Sequence, residues 1–211
     1  MANFRTHITV AVVASATATL SCMQADVISH QQAVILFALG VLAGILPDVD
    51  SDYSVPTRML FKLLSVLSAG LVVACFVNQL PLIYLLGLAL LAIFAVQYIV
   101  YPLFASVTEH RGLFHSLPAA MLFALSIVML GLYGLHWSVD FSWLAAFFMC
   151  GGYLVHLLLD EFYSVDFMGR SLKASFGTAL TLFSPSSWLS YLLLYMAVGA
   201  GLYMLPLPGW V

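Results

Sequence analysis

Residues 82–105, LIYLLGLALLAIFAVQYIVYPLFA, run for 24 positions without a charged side chain or a histidine. Wound as an α-helix at ~1.5 Å per residue, such a segment reaches about 36 Å, enough to cross a hydrocarbon core of roughly 30 Å. The reading extends outward to six further apolar runs, near residues 7–25, 31–46, 60–78, 117–136, 141–159 and 188–206. Over 211 residues, 64% of side chains are hydrophobic and 7% charged, and the mean hydropathy is +1.09. Soluble globular chains do not have this composition. Because the runs are continuous rather than alternating, they predict helices and not a β-barrel. The expectation is an all-α, polytopic helical membrane protein of about seven transmembrane spans, forming a single integral membrane domain over 1–211.

The first run is diluted by Thr9, Ser15, Thr17, Thr19 and Ser21, and the second is short enough to stop in the headgroup zone. Arg5 followed by apolar residues imitates a secretory signal. The run ends in the polar stretch Ser21–Asp26, however, and Leu20 sits one place too close to Cys22 for a lipoprotein site, so a retained first span is expected. Cys22, Cys75 and Cys150 lie in or beside apolar runs with no CxxC pair. They read as small hydrophobes, not as a disulfide or zinc framework.

Orientation follows from the few basic residues. With the N-terminus inside, Arg5, Arg58 with Lys62, Arg111, and Arg170 with Lys173 all fall on the cytoplasmic side of a bacterial inner membrane, as the positive-inside rule expects. The same arrangement puts His7, Asp48, Asp50, Asp52, Glu109, His110, His115, His156, Asp160 and Glu161 on that side. Asp26, His30, His136 and Asp140 are left on the far side, with no role assigned. Ionisable groups near a membrane are costly and so point to function.

Three segments carry the chemistry. In Gly152–Tyr153–Leu154–Val155–His156–Leu157–Leu158–Leu159–Asp160, residues four apart share a helix face, so Gly152, His156 and Asp160 form one stripe. Gly152 would admit a close neighbour, while His156 and Asp160 could reach one metal ion. In Leu46–Pro47–Asp48–Val49–Asp50, proline discourages helix at the preceding residue, so the second span should end at Leu46. If the chain then runs extended, Asp48 and Asp50 point the same way and suit a hard or borderline cation. An EF-hand reading fails, because Tyr53 replaces the required glycine and Met59 the closing glutamate; Asp52 reads as an acidic membrane-edge turn. Just ahead, Gly40 and Gly44 have the small-xxx-small spacing of tight helix packing.

Thr108–Glu109–His110–Arg111–Gly112–Leu113–Phe114–His115–Ser116 is the most specific segment. Two imidazoles bracket an arginine just before the fifth span, whose expected N-cap is Ser116. Arg111 suits a phosphate or carboxylate, and a helix start offers N–H groups to an anion. A plain basic loop would explain Arg111 but not the two histidines and glutamate around it. His7, alone at the start of the first span, is recommended only by its side of the membrane. The loop 161–187 reads as a basic headgroup anchor.

The order His7, GILPDVD (44–50), EHRGLFHS (109–116) and GYLVHLLLDE (152–161) resembles the YdjM-like (LexA-associated) inner-membrane family of metal-dependent hydrolases, over nearly the whole chain. The tail SVDFMGRSLKASFGTALTLFSP (164–185) is similar to that of a bacterial subgroup. The resemblance implies a membrane-embedded hydrolase. A fainter one, to zinc-dependent phospholipase C and related single-strand nucleases, would seat His7, Asp48 or Asp50, His110 or His115, and His156 with Asp160. That family gathers three zinc ions, but its further histidines, including a second HxxxE helix, are missing here after Asp160. One or two ions are therefore expected.

The functional expectation is a metallohydrolase facing the cytoplasm. His7, Asp48, Asp50, His110, His115, His156 and Asp160 would hold a divalent ion, zinc first because imidazole and carboxylate dominate, with manganese or magnesium as alternatives. Glu109 would act as general base and Arg111 would neutralise a phosphoryl oxygen. Depth at the headgroups suggests a membrane lipid or lipid-linked phosphoester as substrate. Nucleic acid is not expected, for want of a basic patch. The competing expectation is a non-enzymatic protein, either an ion or metal transporter or a scaffold with a structural metal. A transporter should place ionisable groups at mid-membrane depth, yet the runs 60–78, 82–105 and 188–206 contain no acidic residue or histidine. The oligomeric state stays open.

Overall fold

Each apolar run is a helix in the computed structural model, which describes residues 3–50, 55–107, 113–164 and 180–210. Helix α1 spans Phe4–Gln24, α2 His30–Ala43, α3 Val55–Phe76, α4 Leu82–Ala95, α5 Tyr101–Val107, α6 Leu117–Met129, α7 Val139–Ser164 and α8 Trp188–Met204. A π-helical turn, Val96–Val100, joins α4 to α5, and another, Leu130–Gly134, extends α6. The described residues contain no β-strand. Among the described residues, five helical stretches are long and apolar enough to cross a membrane, Leu82–Ala105 and Leu117–Gly134 running through the π-helical turns; α2 and α8 are shorter apolar helices.

Local sequence sets the helix starts. The Asn3 side chain accepts the Thr6 N–H and opens α1. Ser29 and Gln32 form a reciprocal capping box that opens α2. Ser116 caps α6, as its position predicts, by accepting the Ala119 N–H.

The chain divides into two compact units, Met1–Pro47 with Leu113–Val211, and Asp48–Gly112. In the second, α3 packs on α4. There the Gln97 amide donates to the Phe61 carbonyl at 3.0 Å and to Ser65 Oγ at 2.7 Å, which satisfies polar groups that hydrocarbon would not. Both helices bury few of their side chains.

In the first unit α7 is central, packing against α1, α2 and α6, while α8 packs on α6. Glycines allow the close approach. A Cβ on Gly152 would strike the Gly40 carbonyl and come within 2.9 Å of Ala43 Cβ; one on Gly44 would strike Ala11, and one on Gly40 would strike Ser15. The small-residue spacing read from Gly40, Gly44 and Gly152 is therefore a real helix contact.

One local expectation is corrected. The second helix ends at Ala43, three residues before Leu46, and residues Leu46–Asp50 form a 3-10 helix instead of an extended strand. Proline is accommodated near the start of a helical turn, so Pro47 opens this one without breaking it. At three residues per turn, positions 48 and 50 diverge by roughly 240°, so the alternation that would align their side chains is absent. The Asp50 side chain, together with Asp52, Glu109, His110 and Arg111, lies outside the described residues.

Replacing Gly152 with alanine should lower the thermal unfolding midpoint of the detergent-solubilised protein, an overpacking cost of roughly 1–3 kcal/mol. Gly151→Ala, whose Cβ would meet nothing within 4 Å, should leave the midpoint unchanged or slightly raised. Equal midpoints for the two variants would refute the packing assignment.

Candidate metal centre

Three chain segments deliver polar side chains to one end of the first unit. The beginning of α1 brings His7, the end of α7 brings His156 and Asp160, and the residues before α6 bring His115. The His115 backbone is held on both sides. Tyr153, fully buried on α7, donates its hydroxyl to the Phe114 carbonyl. The Leu117 N–H donates to the Thr181 carbonyl at 3.1 Å, beside a parallel bridge between Ser116 and Thr181.

Asp160 is the hub. Its Oδ1 lies 3.1 Å from His7 Nε2, and its Oδ2 lies 3.8 Å from His115 Nε2 and 4.0 Å from His156 Nε2. The His7 and His156 rings stack at 3.9 Å and 15°, while His115 meets His156 edge-on at 5.6 Å. All four side chains are 0–1% exposed. Burying a carboxylate this completely is costly unless charge or hydrogen-bond partners surround it.

The orientation of His156 is fixed from behind. Its Nδ1 lies 2.9 Å from the Gly44 carbonyl. A carbonyl only accepts, so Nδ1 carries the proton and, in the neutral ring, Nε2 carries the lone pair and faces the Asp160 side. Gly44 can serve because it caps the C-terminus of α2, where carbonyls have no partner within the helix. Metal-ligating histidines are commonly oriented by just such a carbonyl.

The donor set fits a divalent cation. One ligating atom each from His7, His156 and Asp160 lie within 4.8 Å of one another, and His115 approaches the same carboxylate. His7 Nε2 and Asp160 Oδ1, 3.1 Å apart, would both turn to a cation in place of the contact they make with each other. His7 Nδ1 makes no hydrogen bond among the described residues.

His7, His115, His156 and Asp160 are brought together. Asp48 belongs to the second unit, where it is half-buried and its carbonyl accepts the Thr57 hydroxyl at 3.4 Å. Glu161 follows Asp160 and is half-buried. Two participants escaped sequence reasoning. The Gly44 carbonyl was hidden behind a packing motif, and Tyr153 reads as an ordinary core aromatic.

A family model described as "YdjM inner membrane protein" matches residues 1–206. No curated protein and no solved structure matches the chain.

Elemental mass spectrometry of the purified protein should find a near-stoichiometric divalent metal, lost in a His156→Ala/Asp160→Asn variant. A wild type that stays metal-free after supplementation would leave these residues as a polar helix-packing network.

Proposed function

Since the chain belongs to the YdjM inner membrane protein family, we propose that it is a membrane-embedded, metal-dependent hydrolase whose His/Asp site faces the cytoplasm. The observation that carries this reading is the convergence of His7, His115, His156 and Asp160, four buried side chains from three separated segments. The inside orientation rests on the distribution of Lys and Arg, and Arg5 stands on α1 at the same end as His7.

His7, His115, His156 and Asp160 would hold the ion, with zinc the first choice and manganese or magnesium the alternatives. When bound, a divalent ion supplies polarisation of the scissile bond and makes water acidic near neutral pH. The Gly44 carbonyl keeps His156 in the ligating tautomer throughout. Glu109 would take the proton of the attacking water, and Arg111 would neutralise a phosphoryl oxygen. Both belong to the sequence segment 108–116 that carries His115. The site sits where α1 begins and α7 ends, at the level expected for lipid headgroups, which favours a membrane lipid or lipid-linked phosphoester as substrate.

One observation favours a second reading. Four protein ligands, each at most 1% exposed, make a closed set of the kind seen in structural zinc sites, which would suit a scaffold.

The two readings separate in an Asp160→Asn variant assayed against a panel of lipid phosphoesters. For a hydrolase, activity should fall roughly 10- to 100-fold or more while the unfolding midpoint falls modestly. A metal-loaded wild type inactive on the whole panel, with a variant that loses mainly stability, would decide for the scaffold.

A further inference from the structure

The opposite end of the first unit, away from His7, His115 and His156, contains a cavity of about 550 Å³ bordered by Val27, Gln32, Ser138, Asp140, Phe147 and Trp210. Nothing in the metal-site reading uses it. We propose that this cavity binds the headgroup of a zwitterionic phospholipid that ends in a primary ammonium.

Charge is the first argument. Asp140 is exposed at the start of α7, and its Oδ1 accepts the Gly209 N–H at 2.7 Å. That bond ties down the C-terminal segment, setting Trp210 against Phe147 with ring centroids 5.6 Å apart. None of the six Lys and Arg residues, at 5, 58, 62, 111, 170 and 173, belongs to the segments bordering the cavity. A favourable place near the α7 N-terminus explains an acidic residue there. It does not explain why that carboxylate borders a cavity with two aromatic walls, a combination that suits an ammonium group.

The remaining polar groups complement the phosphate. Gln32 uses its Oε1 to accept the Ser29 N–H at 2.9 Å, which leaves its amide N–H groups to donate. Ser138 Oγ accepts the Phe141 N–H at 3.3 Å and keeps its own hydroxyl proton to donate. The cavity thus offers an anion for the amine and donors for the phosphodiester.

Depth selects a lipid over a dissolved amine. The cavity begins at the ends of α2 and α7, where Trp137 and Trp143 also lie, and Trp143 donates its indole N–H to the Pro206 carbonyl at 2.8 Å. Tryptophans collect at the membrane–water boundary. From Asp140 to Phe147 the wall descends seven residues, about 10 Å along the helix. It passes from carboxylate to phenyl, as a phospholipid passes from headgroup to acyl chain.

Native mass spectrometry of the delipidated full chain in detergent tests this. The probes are dioctanoyl phosphatidylethanolamine, phosphatidylcholine and phosphatidylglycerol, with free phosphoethanolamine as competitor. The ethanolamine lipid should bind best. The choline lipid, which lacks N–H donors, and the glycerol lipid, which lacks the cation, should each bind about tenfold more weakly. Free phosphoethanolamine should not compete at equal concentration. Asp140→Asn keeps an oxygen for Gly209 but loses the charge, and should weaken ethanolamine-lipid binding by about tenfold. Val27→Trp, at an exposed position on the rim, should block binding without disturbing the core. Equal binding of the three lipids, unchanged binding in both variants, or effective competition by the free amine would each overturn the proposal.

Discussion

A carboxylate cut off from water at the end of a hydrocarbon-embedded bundle constrains the rest of the molecule. Asp160 is 1% exposed, and among its neighbours within 4.0 Å are the imidazole nitrogens of His7, His115 and His156. Leaving such a group without a partner would cost about 3–5 kcal/mol. No single helix can supply all three imidazoles, since one face offers only the i+3 and i+4 places. The ends of α1, α6 and α7 must therefore meet at one level. The glycine contacts between α2 and α7, and between α1 and α2, let the axes approach closely enough for that to happen.

The backbone serves here as a functional group as well as a scaffold. A helix C-terminus has carbonyls to spare, and in the bundle that of α2 ends beside His156. In a water-filled cleft such a carbonyl would be solvated and its preference for one imidazole tautomer diluted. In this dry position the bond fixes which nitrogen faces the carboxylate, and the absence of a Cβ on Gly44 keeps Ala11 of α1 close by. Packing and the orientation of the His156 ring are thus set by the same residue. A bulkier side chain there would disturb both.

Hydropathy made the helices legible, because one physical variable, the length of an uninterrupted apolar run, determines a span. The stripe of Gly152, His156 and Asp160 was legible for a similar reason, since helical periodicity operates within nine residues. The partner of Asp160 was not. His7 is 153 positions away, and a single imidazole at a helix start carries no signal of what the folded chain brings against it. The turn after α2 was misread for a local reason. Proline forbids continuation of one helix but permits the start of another, and the 3-10 helix at Leu46–Asp50 takes the second course. The π-helical turns at Val96–Val100 and Leu130–Gly134 keep the chain helical through one extra residue, which hydropathy does not register.

The distribution of polarity along the first unit bears on what kind of work it does. At one end stand the three histidines and Asp160; at the other, Asp140, Gln32 and Ser138 border a cavity among aromatic rings. Between them the buried clusters are built from Leu36, Ala145, Met149, Val128 and their apolar neighbours. An ion moving from end to end would need hydration or replacement ligands through that layer, whose buried polar side chains are the hydroxyls of Ser15, Thr19 and Ser142, with no charged group among the described residues there. A site that exchanges substrate and water at a single membrane face has no such requirement. The polar groups of the His7, His115, His156 and Asp160 end are thus separated from those of the far end by a mainly apolar layer, and any work done at one end is done without the other.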